Sequence, residues 1–167
     1  ELEIHMNGKE RMLIAMQNGK PDRVPCAPDI SVMVPARLTG KPFWEIEYYD
    51  NPPRWKAYND AAKYFGIDLW SIWGYVNPHS KNEVTTTHRI VRRTHDRLVV
   101  RYKHSTPAGD LESETTFFAA DSAWPTKKLI KDLERDFACL RHFYPELTGY
   151  DVDEFEKMRA DVGESGV

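Results

Sequence analysis

The stretch NGKERMLIAMQNGKPDRVPCAPDI, residues 7–30, decides the fold. Asn7 is a good helix cap, apolar residues follow it at near-helical spacing, and Asn18-Gly19 provides a C-terminal stop. The run RVPCAP, residues 23–28, then predicts an extended strand. Because Pro25 cannot donate a hydrogen bond to a ladder, we expect this strand to be short or to lie at an edge. The question is whether this strand opens an enzyme barrel with Asp29 facing a substrate, or forms the edge of a small α+β domain.

A helix followed by glycine and an apolar strand occurs further along the chain. Aromatic residues and alanine recur at helical spacing from Trp55 to Phe65, and Gly66 closes the helix. The run IDLWSIWGYV, residues 67–76, reads as a buried strand. This order is typical of parallel sheets, so we expect strands 23–28 and 67–76 to lie side by side in one direction.

In residues 83–119 the apolar side chains no longer recur at helical spacing, and β-branched residues are abundant. This pattern is typical of β-strands. Two turn signals, THD at 94–96 and PAGD at 107–110, divide this region. The prediction is an antiparallel insertion whose three strands cover about 84–93, 97–104 and 111–118. One face of it would carry Arg89, Arg101, Lys103 and Glu114.

Two further helices are predicted after the insertion. The first covers 127–144, and its apolar stripe would be Leu129, Leu133, Phe137 and Leu140. The second covers 151–163 with Asp151 as its cap, and Glu154 completes a capping-box pattern.

Length and composition exclude several classes of protein. The 167 residues fit one domain, and no apolar run approaches the roughly 20 residues of a membrane span. A net charge of −3 and a pI of about 6.1 give no sign of nucleic-acid binding. Cys26 and Cys139 lie far apart, which argues against a disulfide framework and favours a cytoplasmic setting. We expect Met6 to be the natural start, with residues 1–5 an addition outside the single domain 6–167.

Candidate ligand-binding residues follow the two predicted parallel strands. Active sites of β/α sheets lie at the carboxyl ends of strands, which is where Asp29 stands. The second strand would offer Trp73, Tyr75 and His79 to the same rim. A helix cap through its carboxylate explains Asp29 equally well, and packing is the simpler role for Trp73 and Tyr75.

Other chemical signals are weaker. His88, His95 and His104 could converge on a metal ion, but ordinary positions on strands and turns explain them more simply. Arg92-Arg93 and Arg101-Lys103 form a basic ribbon that suits either an acidic ligand or a solvated hairpin face. The sequence contains no Gly-rich phosphate loop, nucleophile elbow or metalloprotease helix.

The opening KERMLIAMQNGKPDRVPCAPD resembles the start of the uroporphyrinogen decarboxylase superfamily, which includes corrinoid-dependent methyltransferases. Three later segments resemble that family in the same order: KYFGIDLWSI, TPAGDLESETTF and WPTKKLIKDLERDFACLRHFY. The resemblance implies a TIM-type (β/α)8 barrel with its site at the carboxyl rim. The chain would hold its N-terminal part, with the antiparallel insertion at about 83–119, and would be incomplete as a barrel.

The resemblance also separates two branches of the family. The decarboxylase branch uses an Arg-rich segment after the first strand and an Asp after the second. This chain has one arginine there, Arg37, and no Asp in WGYVNP, so the methyltransferase branch fits better. In that branch, zinc bound by His and Cys of later strands activates a thiol. Those strands lie beyond this chain, so we expect it to hold no cofactor itself and to be inactive alone.

Three functions therefore stand as hypotheses. The first is the N-terminal portion of a corrinoid-dependent methyltransferase, with a small molecule or a corrinoid protein as substrate. The second is a non-catalytic α+β binding module. The third is a decarboxylase acting on a porphyrinogen through altered contacts. In all three we expect no nucleic acid and no membrane as partner, and open sheet edges that favour a homo-oligomer.

Overall fold

The structure is a computed structural model that describes residues 5–71, 76–81 and 83–167. Its helices in chain order are α1 (Gly8–Met16), α2 (Met33–Leu38), α3 (Phe43–Glu47), α4 (Arg54–Phe65), α5 (Leu133–Leu140) and α6 (Asp153–Val162). Its strands are β1 (Asn77–Ser80), β2 (Thr85–Arg93), β3 (Arg97–Thr106), β4 (Gly109–Phe118), β5 (Trp124–Lys127) and β6 (Leu147–Asp151). Short 3₁₀ turns cover Arg141–Phe143 and Gly163–Ser165.

The chain divides into two units, each assembled from separate stretches of sequence. Unit 1 comprises Glu1–Lys41, Asp50–Val76 and Val152–Val167, and it contains α1, α2, α4 and α6. Unit 2 comprises Pro42–Tyr49 and Asn77–Asp151, and it contains α3, α5 and all six strands. None of the helices in the described part of the chain is long and apolar enough to cross a membrane.

The ends of two helices in unit 1 confirm the sequence prediction. The Asn7 side chain accepts from the Glu10 N–H at 2.8 Å, and the Glu10 carboxylate accepts from the Asn7 N–H at 3.0 Å. This reciprocal capping box starts α1. At the other boundary, Gly66 closes α4 with φ 65°, a left-handed conformation that glycine adopts without strain.

The core of unit 1 forms around Leu69, which packs with Ala62 of α4 and Val162 of α6. Leu69 also pairs with Gly166 in an isolated parallel bridge. Its N–H donates to the Ser165 carbonyl at 2.9 Å, and its carbonyl accepts from the Val167 N–H at 2.9 Å. The approach is so close that a Cβ atom at position 166 would lie 1.7 Å from the Leu69 oxygen, so only glycine fits there.

Neither segment predicted as a parallel strand forms a strand among the residues that the structure describes. Residues 23–28 form no ladder, and the described part of 67–76 contributes only the bridge residue Leu69. The segments do lie side by side, since the Asp68 N–H donates to the Cys26 carbonyl at 2.9 Å. Pro25 and Pro28 have no N–H to donate to a ladder, and Val24 is 84% exposed. The segment therefore lacks both the hydrogen bonds and the buried side chains that would make it a strand.

Unit 2 confirms the antiparallel insertion. β2, β3 and β4 match the three predicted strands within a few residues, and their order in the sheet is β2-β3-β4-β5. Trp44 of α3 packs on Leu98, Val100 and Phe117 to form the core. β1 and β6 form a separate two-stranded antiparallel sheet. The fold is therefore mixed α/β with two antiparallel sheets, and the described residues contain no barrel and no parallel β/α unit.

Both C-terminal helix predictions need correction. α5 begins at Leu133 rather than 127, because β5 occupies 124–127 and Asp132 caps the helix by accepting from the Arg135 N–H. Two residues of the predicted apolar stripe are exposed, Leu133 at 62% and Phe137 at 53%, and the other two, Leu129 and Leu140, are half-buried. α6 begins at Asp153 without a side-chain cap, and Glu154 instead accepts from the Trp55 indole N–H at 2.8 Å.

Candidate functional site

Asp29 lies directly after the segment that was predicted to be the first barrel strand. Its carboxylate is exposed, and its Oδ1 accepts from the Ser31 N–H at 2.7 Å in a tight local turn. Ser31 takes a positive φ of 55° there. The next helix, α2, has Val32 at its N-cap and no side-chain capping bond, so Asp29 does not act as the helix cap. Its carboxylate therefore remains open to a ligand.

Tyr58 of α4 lies within electrostatic reach of Asp29. The phenol is buried, and burial raises its pKa, with the negative charge of Asp29 adding to the effect. The phenol therefore stays protonated at neutral pH. Of these two groups the Asp29 carboxylate is exposed, and its negative charge suits a polar or cationic group of a ligand.

The other predicted site residues are distributed differently. Trp73 and Tyr75 lie outside the described residues. His79 belongs to β1 of unit 2, where it is exposed and stands opposite Gly149 of β6. Because Asp29 belongs to unit 1 and His79 to unit 2, a single site formed by the four residues remains a prediction.

A buried ion-pair network is the most densely connected polar feature of unit 1. Arg11 is 6% exposed and Asp68 is 3% exposed. The Arg11 guanidinium donates to both oxygens of Asp22, at 2.6 and 2.9 Å, and to Oδ1 of Asp68. Arg23 donates to both oxygens of Asp68, at 2.8 and 3.2 Å, and the Cys26 N–H donates to Asp68 at 2.8 Å. Two carboxylates and two guanidinium groups therefore hold three parts of unit 1 together.

The protonation states of the network are fixed at neutral pH. The hydrogen bonds from Arg11 hold the pKa of Asp22 well below its usual range. Burial raises the pKa of Asp68, but the Cys26 N–H and the charges of Arg11 and Arg23 outweigh burial and lower it overall. Carboxylates that are saturated in this way hold structure together rather than exchange protons with a substrate.

The position of the network separates it from the candidate site. Arg23 precedes the segment 24–28 and Asp29 follows it, so the two residues mark opposite ends of that segment. Asp68 likewise precedes the bridge residue Leu69. The oxygens of Asp22 and Asp68 are occupied by hydrogen bonds within the network, whereas the Asp29 carboxylate is exposed. The network is therefore structural, and Asp29 is the candidate for binding.

The sequence interpretation missed this network. The signal that could have revealed it is the arginine at position 11, which sits directly beside the buried Met12 in α1. A buried arginine requires carboxylate partners, because an unpaired charge is too costly inside a protein. The PDR motif supplies one such partner at position 22.

The histidines of unit 2 do not form a metal site. His88 and His104 flank the ring of Tyr102, with centroid separations of 5.7 and 6.3 Å. His95 lies in the turn between β2 and β3, away from that row. The His104 imidazole contacts the Thr86 hydroxyl at 2.9 Å, and burial lowers its pKa, so it is neutral at pH 7. Among the described residues, no three His, Cys, Asp or Glu side chains are placed to hold a metal ion.

Comparison of the chain with protein-family models, with curated proteins and with solved structures finds no match in any of the three. Its function is therefore inferred from its own residues and their contacts.

Proposed function

We propose that this chain is the N-terminal portion of a uroporphyrinogen decarboxylase-like protein of the corrinoid-dependent methyltransferase type. In this proposal, residues 24–28, 69–71 and 165–167 are the first three strand positions of a TIM-type barrel. Asp29 stands at the carboxyl end of the first of them and forms one wall of the substrate site. Trp73 and Tyr75, which follow the second strand position in the sequence, are proposed for the same wall.

The observation that carries the proposal is the hydrogen bonding around Leu69. Residue 69 bonds to residues 165 and 167, and the Ser71 N–H donates to the Val167 carbonyl at 2.8 Å, which is the pattern of parallel strands. A helix precedes each of these two segments, and the core joins Ala62 of α4, Leu69 and Val162 of α6. Helix-then-strand repeats with parallel pairing are the building plan of a β/α barrel.

The residues that carry the family resemblance support the same interpretation. Within the motif KERMLIAMQNGKPDRVP, Arg11, Asp22 and Arg23 are the members of the buried network. The two arginines both pair with Asp68, at the start of the second strand position, and Asp22 pairs with Arg11. The motif therefore would fasten the first two strand positions at their amino ends, opposite the end where Asp29 lies.

The chemistry assigned to this chain is limited to binding. The described residues offer no group of three metal ligands, so zinc would be held by residues outside them. When bound, zinc supplies Lewis-acid activation of a thiol. The part of Asp29 would be to accept a hydrogen bond from the substrate and fix its orientation beside the buried phenol of Tyr58.

The decarboxylase alternative requires cationic contacts for a polycarboxylated tetrapyrrole. The segment after the first strand position, residues 29–40, contains the single arginine Arg37 and no other cationic residue. Substrate carboxylates would therefore meet too little positive charge there, and the methyltransferase type is the better match.

The test uses the product of the whole reading frame that contains this sequence. With zinc present, the assay measures methyl transfer from methylcobalamin to a mercapto acid. The loss of the absorption spectrum of methylcobalamin reports the transfer. Carbon dioxide release from uroporphyrinogen is measured in parallel. We expect methyl transfer without carbon dioxide release, and a fall in kcat/KM of about tenfold or more in Asp29→Ala, since one oriented polar contact is removed. Asp29→Asn, which keeps a hydrogen-bond acceptor, should lose less.

Carbon dioxide release without methyl transfer would replace the proposal with the decarboxylase alternative. A reading frame that adds no His and Cys ligands after Val167, with neither activity present, would leave the binding module as the function. In both cases the methyltransferase assignment is overturned.

A further inference from the structure

β2 is an edge strand with one side unoccupied. The sheet order β2-β3-β4-β5 places it at the margin, and all nine of its residues are exposed. Among the described residues, no strand pairs with the side of β2 that faces away from β3. Its outward backbone N–H and C=O groups therefore form a template on which another strand can add.

The charge of β2 is opposite to that of the chain. The chain carries a net charge of −3, yet the strand TTTHRIVRR contains Arg89, Arg92 and Arg93 and no acidic residue. Within the described part of the chain, no carboxylate forms an ion pair with any of these three arginines. The edge is thus a local region of unneutralised positive charge.

Like charges face each other across β2 and β3. Arg89 stands directly opposite Arg101, and Thr87 stands opposite Lys103. These side chains line a hollow of about 240 Å³ together with Glu112. Cations directly opposite each other on a sheet repel, so this face gains stability when carboxylates approach from the open side.

The sheet already contains the arrangement that such a partner would repeat. β4 places Glu114 opposite Arg101 and Glu112 opposite Lys103, so a basic strand is neutralised by an acidic neighbour. The Arg101–Glu114 ion pair measures 3.1 Å. On the other side of β2, the equivalent acidic neighbour is missing from the described residues.

A second copy of the chain does not provide that neighbour through the same edge. Antiparallel pairing of β2 with itself would bring the three arginines of each copy onto adjacent strands with no carboxylate between them, which is unfavourable. The cationic edge therefore selects a strand of opposite charge. Nucleic acid is also disfavoured, because Glu112 and Glu114 lie on the same face as Arg89 and would repel phosphates.

We propose that the β2 edge binds an extended acidic segment of another protein, which adds to the sheet as a fifth strand. Carboxylates at alternate positions of that segment would lie opposite Arg89 and Arg92, which share one face because the bulge between Ile90 and Arg92 shifts the register. Backbone hydrogen bonds would supply affinity, and the alternating charge would supply specificity. This proposal is independent of the methyltransferase assignment.

The probe is a fluorescent ten-residue peptide in which glutamate and valine alternate. The matched control replaces each glutamate by glutamine. In fluorescence anisotropy at about 50 mM salt, we expect the acidic peptide to bind at least about tenfold more tightly than its control, and the difference to shrink at about 300 mM salt. The double variant Arg89→Glu/Arg92→Glu should lose at least about tenfold in affinity.

Lys128→Glu serves as the control variant, because it also replaces a positive charge by a negative one. Lys128 comes just after β5, which forms the opposite edge of the sheet. The variant should bind within about twofold of the unmodified chain, since exposed charges more than a Debye length apart interact little. Circular dichroism checks that each variant keeps its sheet.

Hydrogen exchange distinguishes strand addition from loose charge attraction. If the peptide adds as a strand, amides of residues 85–93 exchange more slowly in the complex. The proposal is overturned if the glutamine peptide binds equally well, or if binding leaves exchange of β2 unchanged. It is also overturned if single-stranded DNA of equal charge binds as tightly, or if sedimentation shows self-association that Arg89→Glu abolishes.

Discussion

Units 1 and 2 reach stability by different routes. In unit 2, β2, β3 and β4 follow one another in sequence and are joined by short turns, so each ladder closes a small loop. In unit 1, the decisive contacts join distant residues, as Arg11 does with Asp68 and Leu69 does with Gly166. Ordering such distant contacts costs more chain entropy. Where local pairing is absent, a buried charge network and a glycine contact hold the distant parts together.

The largest expected effect comes from breaking the network of unit 1. Arg11→Met removes one of the two guanidinium partners of the buried Asp68 and both hydrogen bonds that Asp22 accepts from Arg11, and we expect a loss of about 3–5 kcal/mol in the free energy of unfolding. Urea denaturation measures the loss. Lys9→Met is the control, because its ion pair with Glu164 is exposed at 3.6 Å and should cost less than about 1 kcal/mol. Equal losses in both variants would contradict the view that the network holds unit 1 together.

Truncating a core side chain of unit 2 should lower the free energy of unfolding nearly as much. The faster hydrogen exchange should then appear in the strands of unit 2. Leu98 is fully buried against Trp44 and Phe117, so Leu98→Ala should cost about 2–5 kcal/mol. Hydrogen exchange should quicken in residues 97–118. Arg11→Met should instead quicken exchange in α1 and α4. The same pattern in both variants would show that the two units do not have separate cores.

The parallel bridge of unit 1 is tested by Gly166→Ala. The added methyl would clash with the Leu69 carbonyl, and overpacking of this kind costs about 1–3 kcal/mol. Amide exchange at Leu69 reports whether the bridge opens. Gly149→Ala is the control, because the nearest atom to a Cβ there is His79 Nδ1 at 3.8 Å, an ordinary van der Waals contact. Unchanged protection of Leu69 would remove the observation on which the proposed barrel rests.

Lowering the pH should weaken the network gradually. At any single pH, the loss in the free energy of unfolding should be smaller than in the variants above. The folded-state pKa of Asp68 is lowered, so its contribution is fully present above the unfolded pKa of about 3.9 and is lost as the pH falls through the folded-state value. Arg23→Gln removes one of the charges that lower this pKa. Carbon-13 NMR titration of the Asp68 carboxyl should therefore move to higher pH in that variant, and no movement would contradict the assigned role of Arg23.

The smallest expected effect concerns the end of α4. Gly66 has a φ of 65°, so Gly66→Ala should cost about 1 kcal/mol in thermal or urea unfolding. Gly66→Asn should cost less, because asparagine enters the left-handed region more readily than alanine. A larger loss for asparagine would mean that packing, rather than backbone conformation, decides this position.

The difference between the units also explains what the sequence could predict. Alternation and turn residues locate β2, β3 and β4, and the Asn7 cap with the apolar spacing after it locates α1, because all of these signals are local. β5 escaped prediction because its short run WPTK resembles the approach to a helix, and its pairing with β4 depends on a partner strand. The first expected strand, residues 23–28, did not form because its prolines and exposed Val24 give no local reason to form a ladder.

The candidate site shows the same limit. Asp29 follows the segment 24–28 by the order of residues alone, and its role in binding stays a prediction. His79 lies in β1, whose partner β6 comes much later in the chain, and no local pattern indicates that pairing. The buried state of Arg11 likewise depends on Asp22 and Asp68, which no periodicity within α1 reveals.

The distribution of unit 1 over three stretches has a consequence for synthesis. As a chain leaves the ribosome from its amino end, every residue of unit 2 has been made once Asp151 is added. Leu69 still lacks its neighbour Gly166 at that moment. A nascent chain arrested at Asp151 should therefore protect its antiparallel sheet from protease while α1 and α4 remain open to cleavage.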